Sequence, residues 1–323
     1  MPEFPLIALF RFVGPLLISN KTMLAQIQFL FLTCLLVFVF AWGSMFWRNS
    51  PLLAFSGLAL ISLLYFLLLA IQFLVMAVAN KHDLIVPASL NQLVRAWLRE
   101  AFVAARVFLW WQPFRFATWP DEIPDHHSHP PRRGIVFIHG FVCNRGLWNT
   151  WFCVLHDRRI PFIAVNLEPV FGSIDAYTSA VDAAIQQMEK ATGVPPLLIC
   201  HSMGGLVARA WLRSRCDDNL FHHVVTLGSP HHGTGLGGGG PVPRWMINAH
   251  QMRPHSQWLT ELAQSESLER RQRFTCFYSN CDNVVIPASS ATLPGADNRM
   301  MPGVPHLALA VDRTVMIQAL ALL

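Results

Sequence analysis

From Thr22 to Trp47 the chain runs 26 residues without Asp, Glu, Lys, Arg or His, and from Asn49 to Asn80 a further 32, with Arg48 the one charge between them. A bilayer core is crossed by about 20 apolar helical residues, so Leu24–Trp42 and Leu52–Ala79 are each long enough to span it. Long helices in soluble proteins carry a polar face, and these runs have none, which favours a bilayer over a soluble core. Gly43-Ser44 and Ser50-Pro51 mark the turn of a hairpin with a loop of roughly eight residues. Arg11 and Lys21 precede the first span, and Lys81, Arg95 and Arg99 follow the second. By the distribution of Lys and Arg, both ends and the bulk of the chain face the cytoplasm. Phe4–Ser19 is apolar too, but it is short and carries Arg11 and two interior prolines. It reads as an interfacial or re-entrant segment, and its crossing the membrane would invert the topology. No basic stretch precedes the apolar run as in a secretory signal peptide.

The hairpin accounts for part of an unusual composition. Charged residues make up 13% of the 323, against about 25% in soluble proteins, and hydrophobic ones 53%. Disorder, a nucleic-acid partner and a small disulfide scaffold are poor readings of such a chain, and its net charge of +5 forms no basic stripe. Seven cysteines (Cys34, Cys143, Cys153, Cys200, Cys216, Cys276 and Cys281), an odd number without CxxC spacing, suit a reducing compartment and neither disulfides nor zinc.

Ser89 can cap a helix with Leu90, Leu93, Val94, Trp97, Leu98, Ala101, Phe102, Ala105, Phe108 and Leu109 on one face and Gln92, Arg95, Arg99 and Arg106 on the other. This amphipathic helix can lie on lipid headgroups or pack on a folded domain. Pro113–Arg133, with five prolines and His126-His127-Ser128-His129, reads as a linker. Its histidines lack acidic or cysteine partners at metal-ligand spacing. The expected organisation is a membrane anchor over 1–83, amphipathic helix and linker over 84–133, and a catalytic domain over 134–323.

Past Arg133 strands and helices alternate: strands Gly134–Ile138, Ile160–Val165, Leu197–Cys200, Val224–Leu227 and Phe274–Ser279; helices Ile174–Ala191, Met203–Arg213 and Leu307–Leu322. This pattern predicts an α/β fold with a mostly parallel sheet covered on both faces. Function then sits at the carboxyl ends of strands. There Cys200-His201-Ser202-Met203-Gly204 joins strand to helix, close to the G-x-S-x-G elbow that projects a nucleophilic serine and aims backbone N–H groups at an oxyanion. Cys200 replaces the first glycine, and a helix-capping serine is the alternative reading. His139-Gly140-Phe141 ends an earlier strand, so the N–H groups of Phe141 and Met203 can form an oxyanion pair. In the order Ser, Asp, His that such a fold requires, Asp282 follows a strand and His306 precedes the last helix. Asp297 and Asp312 are weaker candidates for the acid.

These residues resemble the bacterial triacylglycerol lipases and related esterases of the α/β-hydrolase fold over about 134–323. The resemblance rests on H-G-F at 139–141, H-S-M-G-G at 201–205, T-L-G-S-P-H-H-G-T at 226–234, Q-M-R-P-H-S at 251–256 with Leu259 and Leu262, Tyr278-Ser279 with Asp282, Val285 and Pro287, and L-P-G-A at 293–296. It implies a serine hydrolase of carboxylic esters with Ser202, His306 and Asp282 as triad, acting on acyl lipids without metal or organic cofactor. With the apolar hairpin, which lies outside the resemblance, the expected location is the bacterial inner membrane, with membrane lipids and an acyl ester as partners and no nucleic acid. A glycine-rich stretch at 233–240 lacks the G-K-[ST] of a phosphate loop and leads into a cap segment over about 233–272. Thioester or lactone hydrolysis, or a non-catalytic membrane adaptor on the same fold, are the alternatives carried forward.

Overall fold

The computed structural model describes residues 22–124, 132–215, 217–235 and 242–323. Both apolar runs are helices, α1 (Met23–Phe46) and α2 (Pro51–Ala79). Thr22 caps α1 by accepting the Ala25 N–H, and Ser50 caps α2 by accepting that of Leu53. Pro51 opens α2, where a first-turn residue needs no N–H. The connection is four residues, 47–50, rather than about eight, because Gly43 and Ser44 stay in the helix. Trp42 ties the tip by donating its indole N–H to the Leu53 carbonyl (3.0 Å).

The flanks of the hairpin are apolar and exposed, as at Leu36, Phe38, Phe40, Phe55, Leu60 and Leu63. Its feet are seated on the rest of the chain. Gln28 donates to Gln112 Oε1 (2.7 Å), and Phe29 meets Phe114 edge-on. The last third of α2 turns Leu69, Phe73 and Met76 inward, on one helical face; Phe73 and Met76 pack with Ala96, Cys281 and Ile286. Asn80 and Asp83 accept the N–H groups of Ala288 and Ser289.

Helix α3 (Leu90–Arg106) starts in a full capping box, Ser89 with Gln92, as its sequence suggests. Its apolar face divides in two. Ala96, Ala101 and Ala104 are buried, whereas Leu90, Val94, Leu98 and Phe102 form an outward ridge at four-residue spacing. The proline-rich stretch is not a free linker as far as Pro124. Glu122 exchanges two backbone hydrogen bonds of 2.9 Å with Phe162, and Asp121 pairs with Arg145 (2.8 Å). The expectations for Phe4–Ser19, Arg11, Lys21, His126–His129, Cys216 and the glycines at 237–240 fall outside the described residues.

Six strands, β1 (Ile135–Ile138), β2 (Phe162–Ala164), β3 (Leu197–His201), β4 (His223–Leu227), β5 (Phe274–Tyr278) and β6 (Asp297–Met300), form one parallel sheet in the order β2-β1-β3-β4-β5-β6. Successive side chains point to opposite faces. Phe137, Ile199 and Phe277 pack with Trp148, Trp151, Phe152 and Val315; Val136, Leu198 and Val224 pack with Ile185, Met188, Leu206 and Trp211. These partners come from α4 (Asn149–Asp157) and its preceding turn, α5 (Thr178–Thr192), α6 (Met203–Arg215) and the helix Arg313–Leu320. Burial on both faces is why the central strands are almost continuously apolar. β6, with the polar sequence Asp-Asn-Arg-Met, adds a strand to the five expected; it joins the edge through backbone pairing with β5. The expected closing helix is two, α8 (His306–Leu309) and α9 (Arg313–Leu320), because Asp312 caps α9 by accepting the N–H groups of Thr314 and Val315.

Segment 242–272 holds short helices, among them α7 (Gln257–Gln264). It is tied to α6 by a buried ion pair: Arg209 donates to both oxygens of Glu266 (2.7 and 2.8 Å) and to the His231 carbonyl (3.1 Å), with both charged side chains 1% exposed. Glu266→Ala strands the guanidinium in the core. We expect a loss of about 3–5 kcal/mol in chemical denaturation; a cost under about 1 kcal/mol, the size of an exposed pair, would contradict this.

Candidate active site

β3 passes into α6 through Ser202 alone, and the backbone there lies in the left-handed region (φ +53°), a conformation that costs energy for a residue with a Cβ. The Ser202 N–H extends the sheet by donating to the Leu227 carbonyl (2.9 Å). α6 begins so close to β1 that a Cβ on Gly204 would stand 2.2 Å from the Ile138 carbonyl oxygen. Cys200, in the place of the usual first glycine, is fully buried in the cluster holding Ile138 and Met203, where its small side chain fits.

The loop after β1 is fixed by His139. Its Nε2 accepts the Leu167 N–H (3.0 Å), so Nδ1 carries the proton and donates to the Gly140 carbonyl (2.9 Å). Burial pushes its pKa down to about 4, so the ring is neutral near pH 7. Val142 is also left-handed (φ +51°). Among the described residues, no acceptor takes the N–H of Phe141 or Met203.

Asp282 follows β5 in a turn closed on its own carboxylate: Oδ1 accepts the N–H groups of Val284 (2.9 Å) and Val285 (2.8 Å). Oδ2 meets His306 Nδ1 at 2.9 Å. Both side chains are nearly inaccessible. Burial alone would lower the His306 pKa, but the charge and hydrogen bond of Asp282, with a further contribution from Glu100, outweigh it and the net shift is upward. The rival acids are elsewhere: Asp297 pairs with Arg299 at the sheet edge, and Asp312 with Arg99. His201, kept neutral by burial, donates through Nε2 to the His306 carbonyl (3.2 Å).

Ser202 and His306 line one cavity of about 260 Å³, together with Phe141 and His201. Much of its remaining wall is amino-terminal: Tyr65, Leu69 and Gln72 of α2, Glu100 and Ala104 of α3, and Phe108 beyond it. Sequence reasoning missed this contribution. The signals were there, since Tyr65 and Gln72 are the only polar residues of α2 after Ser62, seven apart on one face, and Glu100 is the single acid between Asp83 and Asp121. Glu100 is 2% exposed, and burial pushes its pKa up to about 7.

Residues 135–316, more than half of the chain, match the Alpha/beta hydrolase family. Among solved structures, the mature form of a lipase from Bacillus licheniformis superposes with a TM-score of 0.51 at 17% identity, over 62% of this chain and 95% of the lipase. The propeptide form of that lipase gives 0.52 at 17% identity, over 62% of this chain and 52% of the other. A metagenomic carboxyl esterase gives 0.46 at 12% identity, over 62% and 77%. No curated protein matches. At such identities the likeness to solved structures is one of fold, and the matched segment carries the whole parallel sheet and the elbow. The chain therefore belongs to the Alpha/beta hydrolase family.

Proposed function

We propose that this hydrolase is a membrane-anchored serine esterase or lipase acting on acyl esters. The observation that carries the reading is His306, paired with Asp282 at 2.9 Å and lining the same cavity as Ser202, itself held left-handed at a strand-to-helix elbow. Ser202 Oγ attacks the ester carbonyl carbon while His306 Nε2 takes its proton; Asp282 fixes the imidazole tautomer and stabilises its cation. The oxyanion rests on the N–H groups of Phe141 and Met203. Collapse expels the alcohol with the proton from His306, leaving an acyl-Ser202. Water, deprotonated by His306, then releases the acid and restores the serine. The lipase structures that share this fold agree with an ester or lipid substrate.

The membrane part of the proposal rests on α1 and α2, both long and apolar enough to cross a bilayer and with their flanks exposed. With both ends of the hairpin cytoplasmic, the catalytic domain faces the cytoplasm on the bacterial inner membrane. Leu69 and Tyr65 place the apolar helix at the catalytic cavity itself, which suits a substrate delivered from lipid.

A fluorophosphonate probe is expected to label the protein, and Ser202→Ala to abolish labelling and to lower kcat by about 10⁴-fold or more; labelling of the mutant at the wild-type rate would refute the nucleophile. Because protonated His306 cannot accept the serine proton, and its pKa is raised, kcat/KM should fall with acid through a midpoint above about 6.5. A rate flat between about pH 5 and 8 would contradict this. In cell fractions the full chain should stay with membranes through an alkaline carbonate wash, and release into the supernatant would contradict spanning.

A further inference from the structure

Three consecutive backbone N–H groups, beginning at the proposed base, are all held by side chains. That of His306 goes to Asn283 Oδ1 (3.3 Å), that of Leu307 to Glu100 Oε1 (2.9 Å), and that of Ala308 to Glu100 Oε2 (3.3 Å). Asn283 donates in turn to Gln72 Oε1 of α2 (3.0 Å). The base loop is thus gripped by the amino-terminal helices. Glu100 forms no ion pair with Lys or Arg among the described residues; its neighbour Arg99 turns away to Asp312. A buried carboxylate without a cation is costly, and stability alone does not account for one. The charged or titratable groups that face it are Tyr65 from α2, Asp282 from the loop after β5, and His306.

We propose that Glu100 is a positioning residue for His306: it fixes the backbone that carries the imidazole and sets a second negative charge, besides Asp282, beside the imidazolium formed in each acyl transfer. This rests on the hydrolase reading above. Burial pushes the carboxyl pKa up to about 7 and that of the neighbouring imidazole is also raised, so the acid limb of activity belongs to the Glu100–His306 pair rather than to either group. The mechanical consequence is that the amino-terminal helices complete the active site. An α3 lifted from the domain would release the base.

The test uses full-length wild-type, Glu100→Gln and Glu100→Asp proteins in detergent, with kcat and KM for a chromogenic short-chain ester measured from pH 5 to 9. Glu100→Gln keeps the shape and one acceptor but removes the charge. We expect kcat to fall about 10- to 100-fold, KM to change less than about threefold, and the acid limb to move down by about one pH unit. Glu100→Asp keeps the charge and withdraws the reach, so kcat falls while the acid limb stays at the wild-type pH. The double variant Glu100→Gln/Asn283→Asp returns a carboxylate beside His306, and its acid limb should move back up. Wild-type kcat in Glu100→Gln, or a lowered kcat with an unmoved acid limb, would overturn the proposal. So would a Glu100→Gln protein that does not fold beside a Glu100→Asp protein of wild-type kcat, since Glu100 would then serve stability alone. A wild-type protein inert toward esters would remove the hydrolase reading instead, a result distinct from each of these.

Discussion

The site depends on how closely the carboxyl ends of three parallel strands and the amino-terminal end of one helix approach one another. The start of α6 lies against the Ile138 carbonyl, so the chain leaves β3 with no room for a loop, and Ser202 takes the strained backbone of the elbow. One strand further, a Cβ at Gly228 would stand 2.8 Å from Asp282 Oδ2 and 3.2 Å from His306 Nδ1. The end of β4 is therefore a floor against which the acid and the imidazole are pressed. Strain at the serine and close contact under the histidine are maintained by one buried, two-faced sheet whose ladder runs on into Ser202 itself.

Above that floor the geometry is unusual in its source. The wall facing the serine comes from helices that precede the sheet in the chain, one of them apolar on nearly every side. Along α2 the few polar groups are spent on protein contacts. Tyr65 donates to the Ala101 carbonyl (2.6 Å), and Gln72 reaches Asn283. The remaining perimeter suits a hydrocarbon surrounding. The outward ridge of α3 is likewise apolar and exposed. On the proposed reading, the surface that meets lipid and the surface that shapes the catalytic cavity are two sides of the same pair of helices.

Much of this was legible in the sequence because strong local rules coincide with the tertiary outcome. Charge-free runs bounded by Thr22 and by Ser50-Pro51 gave both apolar helices, Ser89 with Gln92 gave the start of α3, and β-branched runs gave five of the six strands. The sixth escaped because Asp297–Met300 has no apolar pattern and is a strand only by virtue of its neighbour's free edge. Asp312 split the last helix, because a capping carboxylate competes with helix continuation, whereas helical spacing alone reads through it. Around the candidate site, Ser202, Asp282 and His306 stood in recognisable contexts. Glu100, Gln72 and Asn283 did not, since their roles depend on packing between segments 207 and 211 residues apart and no local spacing encodes such a contact.

The central claim is that Ser202 is the nucleophile of an ester hydrolase, and peptide mapping by mass spectrometry of the fluorophosphonate-treated full-length protein tests it most directly. One phosphonyl adduct is expected, on the peptide containing Ser202, formed at neutral pH and lost when the protein is unfolded before treatment. An adduct on another residue, or none in protein that is folded, would contradict it.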